Sequence, residues 1–319
     1  MIFKFDPSDN LSYLTTYKIR VTSGVKDVFG NEMESQYETN TGFITKGFFI
    51  AVGNSGTILT SSDGISWVYR TSGTSNNLRR VKYGNGFYVT GGGSGTILTS
   101  TDGISWTSRT SGTTNILYGV TYGNNIFVIV GTSGIILTST DGTSWTEKIS
   151  GTSKTILGIV FGNGLFVTVG ESGTILTSTD GSSWTTRTSG TSVDLENIIY
   201  ENDLFVTVGV NGTILTSSDG TSWTEKTSGT SQGLVGVTYG NGTYVISGGS
   251  GTILTSSDGT SWTLRTTATS KNLLRVTYGN GIFITVGIEG TILSSSDGIS
   301  WTARTSGTSN RLYGIIYPQ

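Results

Sequence analysis

The 319-residue chain contains neither cysteine nor histidine. That excludes disulfides, thiolate and imidazole metal ligands, cysteine nucleophiles and histidine-based triads together. Only carboxylates, Tyr, Lys, Arg, Ser and Thr are left for chemistry. Proline is nearly missing, with Pro7 and Pro318 the only two, and charged residues make up just 13% of the chain. The net charge of −2 argues against nucleic acid or an anionic membrane surface as the main partner. No apolar run approaches the roughly 20 residues of a membrane span, so no membrane insertion is expected. The opening MIFKFDPSDN has no apolar core of a secretory signal. What abounds instead is glycine, 48 residues of it, with Ser, Thr and a full share of aromatics. Such a composition suits many short strands joined by tight turns, not disorder.

The seven tryptophans, Trp67, Trp106, Trp145, Trp184, Trp223, Trp262 and Trp301, are each 39 residues from the next. Four residues before each stands an Asp followed by Gly: Asp63, Asp102, Asp141, Asp180, Asp219, Asp258 and Asp297. A repeat of about 40 residues without a helical apolar stripe has the size of a propeller blade. Each unit divides into four strands. In the second, Leu78 to Tyr83 reads as strand A, Phe87 to Gly91 as B, Thr96 to Ser100 as C and Ser105 to Thr110 as D. Asn-Gly and Asp-Gly pairs mark the A–B and C–D hairpins. Strand B is apolar on both faces, as expected for a sheet sandwiched between neighbours. The fold class is therefore all-β, a seven-bladed propeller over residues 46–319.

The ends predict how the ring closes. The first unit starts at strand B, Phe48 to Val52, with no A ahead of it. The last residues, Leu312 to Tyr317, match strand A with no B after it. Joining them makes the seventh sheet and removes two open edges.

The run Ser61-Ser62-Asp63-Gly64-Ile65-Ser66-Trp67 and its six copies resemble the Asp-box of BNR-repeat propellers, one residue shorter. The adjoining GTILTSxDG pattern is similar to repeats of propellers related to photosystem II assembly factors. The resemblance covers residues 45–319 and implies that the Asp turns are structural hairpins away from the binding face. It implies no activity, since such boxes occur in sialidases and in many non-enzymes. A sialidase would bring an arginine triad, a Tyr nucleophile with a Glu, and an R-I-P motif. No R-I-P occurs, and that catalytic set cannot be placed on this chain.

Residues 1–45 lose the period. Tyr17 to Thr22 alternates like a strand, Asp27 to Met33 is turn-rich, and Tyr37 to Thr45 ends in a second strand-like run. This stretch resembles the C-terminal half of the bacterial Ig-like domain of S-layer proteins. About 45 residues are too few for a sandwich of about 100. The resemblance implies a fragment of a longer secreted or cell-surface protein, or a gene whose first half is lost. The other reading is a strand appendage docked on the ring.

Comparing the copies locates the candidate site. A meander puts the A–B and C–D turns on one face of the ring and the B–C and D–A connections on the other. The first face is nearly uniform, and the second varies. Strand A lines the channel in a propeller, so its irregular residues border the mouth. The candidate ligand-binding set is Arg79, Arg80, Lys82, Tyr118, Glu196, Asn197, Arg275 and Tyr313. At the position of Arg80, Asn197 and Arg275 the other four copies carry Gly. The Asp residues read as turn acceptors and the tryptophans as core packing. The basic residue three after each Trp, such as Arg109 or Arg187, reads as edge-strand protection. No catalytic residue, metal site or cofactor is expected. The function read from this pattern is a non-catalytic binding module of a bacterial surface or secreted protein, monomeric, taking a protein or glycan on its variable face. The alternative is a structural spacer whose repeats were amplified.

Overall fold

The computed structural model describes residues 47–318 and, before them, the backbone of four two-residue strands. Thr16–Tyr17 pairs antiparallel with Phe43–Ile44, and Arg20–Val21 with Tyr37–Glu38. The two strand-like runs of the N-terminal stretch thus pair with each other. The rest of the Ig-like reading lies outside the described residues. By its internal contacts the chain divides into Met1–Gly47 and Phe48–Gln319.

Within Phe48–Gln319 the strands form seven antiparallel four-stranded sheets. The second blade is typical: strand A is Leu78–Gly84, B is Phe87–Gly92, C is Ile97–Ser100 and D is Thr107–Arg109. The A strands of the blades that follow are Leu117–Gly123, Ile156–Gly162, Leu195–Glu201, Leu234–Gly240 and Leu273–Gly279. The first blade takes its strand A from the C-terminus: Leu312–Ile316 pairs antiparallel with Phe49–Gly53, Leu312 opposite Gly53 and Ile315 opposite Ala51. The predicted closure is observed, shifted by one residue at the ends.

The core lies between the blades. The aromatic of each strand B, Phe49, Tyr88, Phe127, Phe166, Phe205, Tyr244 or Phe283, is at most 1% exposed. Ile50, Val52 and Ile58 of the first blade pack on Leu78, Val81, Tyr88 and Leu98 of the second. At the seam Ile284, Val286 and Ile292 of the seventh pack on Phe49, Ala51, Leu59 and Leu312. Six of the seven half-buried tryptophans, Trp301 aside, meet their blade's strand B aromatic tilted or edge-on, as Trp67 does Phe49 with ring centroids 6.4 Å apart.

The Asp turns hold their own backbone. Asp63 Oδ1 accepts from the Ile65 and Ser66 N–H groups at 2.8 and 2.9 Å and from the Ser61 hydroxyl at 3.0 Å. The Ser61 hydroxyl in turn accepts the Gly64 N–H at 2.8 Å. The geometry recurs in all seven copies. These donated bonds favour the ionised form and hold each carboxyl below its usual range.

Inter-blade bonds fix the two faces. The Asn85 amide of an A–B turn donates to the Thr140 carbonyl of the next blade's C–D turn, which places both turns on one face. On the other face each B–C connection is a 3₁₀ turn bonded to the D–A loops, as where the Asn54 N–H donates to the Arg311 carbonyl and the Gly56 N–H to the Asn76 carbonyl.

Candidate functional site

In every blade the pairing of strand A with strand B slips by one residue directly after the first residue of A. The extra residue is Arg79, Tyr118, Leu157, Glu196, Val235, Leu274 or Tyr313. A bulge of this kind re-aims one side chain out of the ladder. All seven line one cavity of about 250 Å³, together with Arg80, Arg275 and Arg311. The mouth is thus a ring of seven side chains of five types delivered by seven like backbones.

One residue further along, the chain runs close to its neighbour. A Cβ at Gly236 would lie 2.8 Å from the Arg275 Cα, and one at Gly314 would lie 2.6 Å from the Arg79 carbonyl oxygen. Gly236 and Gly314 are therefore steric necessities, Gly119 and Gly158 meet first a valine methyl at 2.9 and 3.0 Å, and Arg80, Asn197 and Arg275 are the exceptions at this level. These three turn inward. Arg80 donates to the Asn197 side-chain oxygen and to the Glu196 carbonyl at 2.9 Å. It also reaches the Leu157 carbonyl at 3.3 Å. Arg275 donates to the Val235 carbonyl, to the Leu274 carbonyl at 2.8 Å, and to the Glu196 carbonyl at 3.3 Å. The second and seventh blades are thereby tied across the channel to the fourth, fifth and sixth. The two arginines read from the sequence as protruding contacts spend their terminal nitrogens on this brace, while the Arg275 Nε stays buried without a partner among the described residues.

Burial pulls the Arg80 guanidinium down to about 9, opposed by the charge of Glu196, so it stays protonated at neutral pH. Burial also raises the Glu196 carboxyl, with Arg80 opposing and Asp194 adding to the rise. Lys82 does not line the mouth. Burial lowers its amine, the charge of Glu201 opposing, and burial raises the Glu201 carboxyl. Asn197, 4% exposed, is likewise not part of the lining.

Arg79 is different. Its guanidinium carbon lies 4.1 Å from the centre of the Tyr313 ring and 5.1 Å from that of Tyr118, so the group is held between rings from both adjacent blades. Its Nε is buried and finds no hydrogen-bond partner among the described residues. The exposed Arg311 approaches the Tyr313 ring at 5.7 Å. Of the eight candidates, the structure brings Arg79, Arg80, Tyr118, Glu196, Arg275 and Tyr313 together. The candidate set missed Leu157, Val235, Leu274 and Arg311. The first three were findable, since they stand at multiples of 39 residues from Arg79.

Much of the variable loop chemistry is locally engaged. Glu171 accepts the Thr155 N–H at 2.8 Å, Asp194 the Ser172 N–H at 2.8 Å and Asn272 the Ser250 N–H at 2.8 Å. Lys271 and Glu289 pair at 2.8 Å. On the outer strands, Arg109 and Arg187 donate through Nε to the Thr99 and Thr177 hydroxyls at 2.8 and 2.9 Å.

A family model described as the DUF6242 beta propeller domain matches residues 154–274. Solved structures share the fold over most of the chain. One, described as YCF48 bound to D1 peptide, has a TM-score of 0.65 at 19% identity, covering 91% of this chain and 98% of its own. YCF48 from Cyanidioschyzon merolae has a TM-score of 0.62 at 17% identity, covering 79% and 96%. The computationally designed Ika8 protein has a TM-score of 0.60 at 12% identity, covering 85% and 94%. At these identities the likeness is one of fold. The expected similarity to propellers of the photosystem II assembly factor group has its structural counterpart in YCF48. No curated protein sequence matches the chain.

Proposed function

We propose that the ring is a non-catalytic interaction module that binds a protein segment at the channel mouth on its variable face. One observation carries this reading: seven equivalent bulges deliver side chains of five different types into a single cavity, while most of each repeat stays nearly constant. A spacer would have no use for such divergence at the mouth of its channel. A protein of the same fold is described as bound to a peptide, which supports a protein over a glycan as partner. Arg and Tyr are also the residue types that most often anchor protein interfaces.

Panning a displayed random-peptide library on the full chain tests the reading. The clones should lose binding to Arg79→Glu and Arg311→Glu and keep it to Arg109→Glu and Arg187→Glu. The reverse result would move the site to the ring's perimeter. We further propose that residues 1–45 are the end of an Ig-like β domain and that the protein works at the cell surface. The two short antiparallel ladders of that stretch fit this reading. Fractionation of the native host with an antibody to the ring would test it, and recovery in the cytosol would refute it.

A further inference from the structure

The mouth has two chemically distinct sectors. Around the ring from the first blade, Tyr313, Arg79 and Tyr118 come from three consecutive blades and form a cationic, aromatic sector. Leu157, Val235 and Leu274 supply an apolar sector on the other side, interrupted only by Glu196. We infer that the mouth recognises a peptide carboxylate borne next to an apolar side chain, the carboxylate meeting Arg79 and the apolar group lying on Leu157, Val235 and Leu274. The inference rests on the interaction-module reading and sharpens it.

Three observations point this way. First, the Arg79 guanidinium is held between two tyrosine rings, its carbon 4.1 and 5.1 Å from their centres, and these contacts use none of its N–H groups as hydrogen-bond donors to an oxygen. A guanidinium with uncommitted N–H groups suits the two parallel bonds that a carboxylate accepts. Second, Arg80 and Arg275 donate through their terminal nitrogens to backbone carbonyls, although the Arg275 Nε is left without a partner, whereas no nitrogen of Arg79, its buried Nε included, donates to any of the described residues. A buried donor of this kind costs free energy until an acceptor arrives. Third, Glu196 is half-buried, its carboxylate accepts no hydrogen bond from the described residues, and burial raises its carboxyl. It can accept an amide N–H of the peptide and repels a second negative charge, so a single carboxylate is favoured over two. A cavity of about 250 Å³ sits below the usual range for ligand pockets and suits one or two residues of chain.

The test follows the arginine Nε–Hε resonances of the full chain by NMR, that of Arg79 being assigned as the one lost in Arg79→Gln. Five probes are titrated: N-acetyl-leucine for a terminal carboxylate, N-acetyl-glutamyl-leucinamide for a side-chain carboxylate, N-acetyl-leucinamide as the neutral form, N-acetyl-glutamate for two carboxylates, and N-acetylneuraminic acid for a sugar acid. One or both peptide carboxylates should shift the Arg79 resonance saturably, and which one does so names the source. The neutral amide should bind at least about tenfold more weakly, as expected when one charge-assisted contact is lost. Arg79→Gln should abolish the difference between the carboxylate probe and its amide, read from the remaining mouth resonances. Glu196→Gln should strengthen the doubly charged N-acetyl-glutamate several-fold while changing N-acetyl-leucine little. Equal shifts from the neutral amide, no saturable shift from either peptide carboxylate, or a response to the sugar acid alone would overturn the inference. So would a ratio unmoved by Glu196→Gln. The wild-type titration needs no substitution, so misfolding of a variant cannot mask the answer. Panned peptides that still depend on Arg79 after their carboxylates are amidated would sink this inference and leave the module reading standing.

Discussion

Deleting Leu312 to Gln319 should destroy cooperative folding of the ring, and the size of the effect can be worked from the contacts removed. Leu312 is fully buried, and Ile315, Ile316 and Tyr317 are half-buried. At about 2 kcal/mol for a fully buried aliphatic side chain and about half that for the others, the strand itself contributes about 5 kcal/mol. The Tyr317 ring also sits 4.8 Å from the Phe49 ring, and such pairs add about 0.5–1 kcal/mol beyond their area. The deletion uncovers one side of Phe49, Ile50, Ala51 and Val52 as well, all now 0% exposed, at a further cost of several kcal/mol. The total approaches the whole stability of a typical domain, about 5–15 kcal/mol. Urea denaturation followed by circular dichroism and tryptophan fluorescence is the assay, with removal of Pro318 and Gln319 alone as the control. The truncated ring should show a broad or absent transition, and a synthetic peptide of residues 308–319 added in trans should restore it. A truncated chain that melts within a few degrees of the full chain would refute the claim that this strand locks the circle.

The other expectations concern single residues and pH. Asp102→Ala removes the acceptor of the Ile104 and Ser105 N–H groups, both at 2.8 Å, and should cost about 1 kcal/mol in urea denaturation without touching binding at the mouth. Arg80→Met leaves the Leu157 carbonyl and the Asn197 side-chain oxygen without their donor and the Glu196 carbonyl with only that of Arg275, and should cost about 1–3 kcal/mol by the same measurement, while N-acetyl-leucine binding changes by less than about threefold. For pH, the folded-state value of all seven turn aspartates lies below the ordinary 3.8. Their contribution is complete above 3.8 and is lost as pH falls through the folded values. Glu196 and Glu201 are raised above 4.5 and act with the opposite sign, but they are two against seven. Thermal melts should therefore change little from neutral pH down to about 4.5 and fall steeply below 3.8. A midpoint that declines steadily from pH 6 would contradict the turn chemistry.

The sequence by itself determined the ring. A strict 39-residue period, hairpin turns at fixed offsets and the orphan strands at the two ends leave one way to pair seven sheets, because pairing and burial here are set by local pattern. It also marked strand A as the place where copies differ, which located the mouth. It could not say what each irregular residue does there. The bulge that turns Arg79 into the cavity and the next residue, Arg80, across the channel is a property of strand pairing, and adjacent arginines look alike in a string of letters. Nor could it show that Tyr118 and Tyr313, 39 residues after Arg79 and near the far end of the chain, flank its guanidinium from either side. Closure of the circle brings those three blades together, and only in the closed circle does Arg79 sit between two rings while Arg80 and Arg275 spend their terminal nitrogens on other blades.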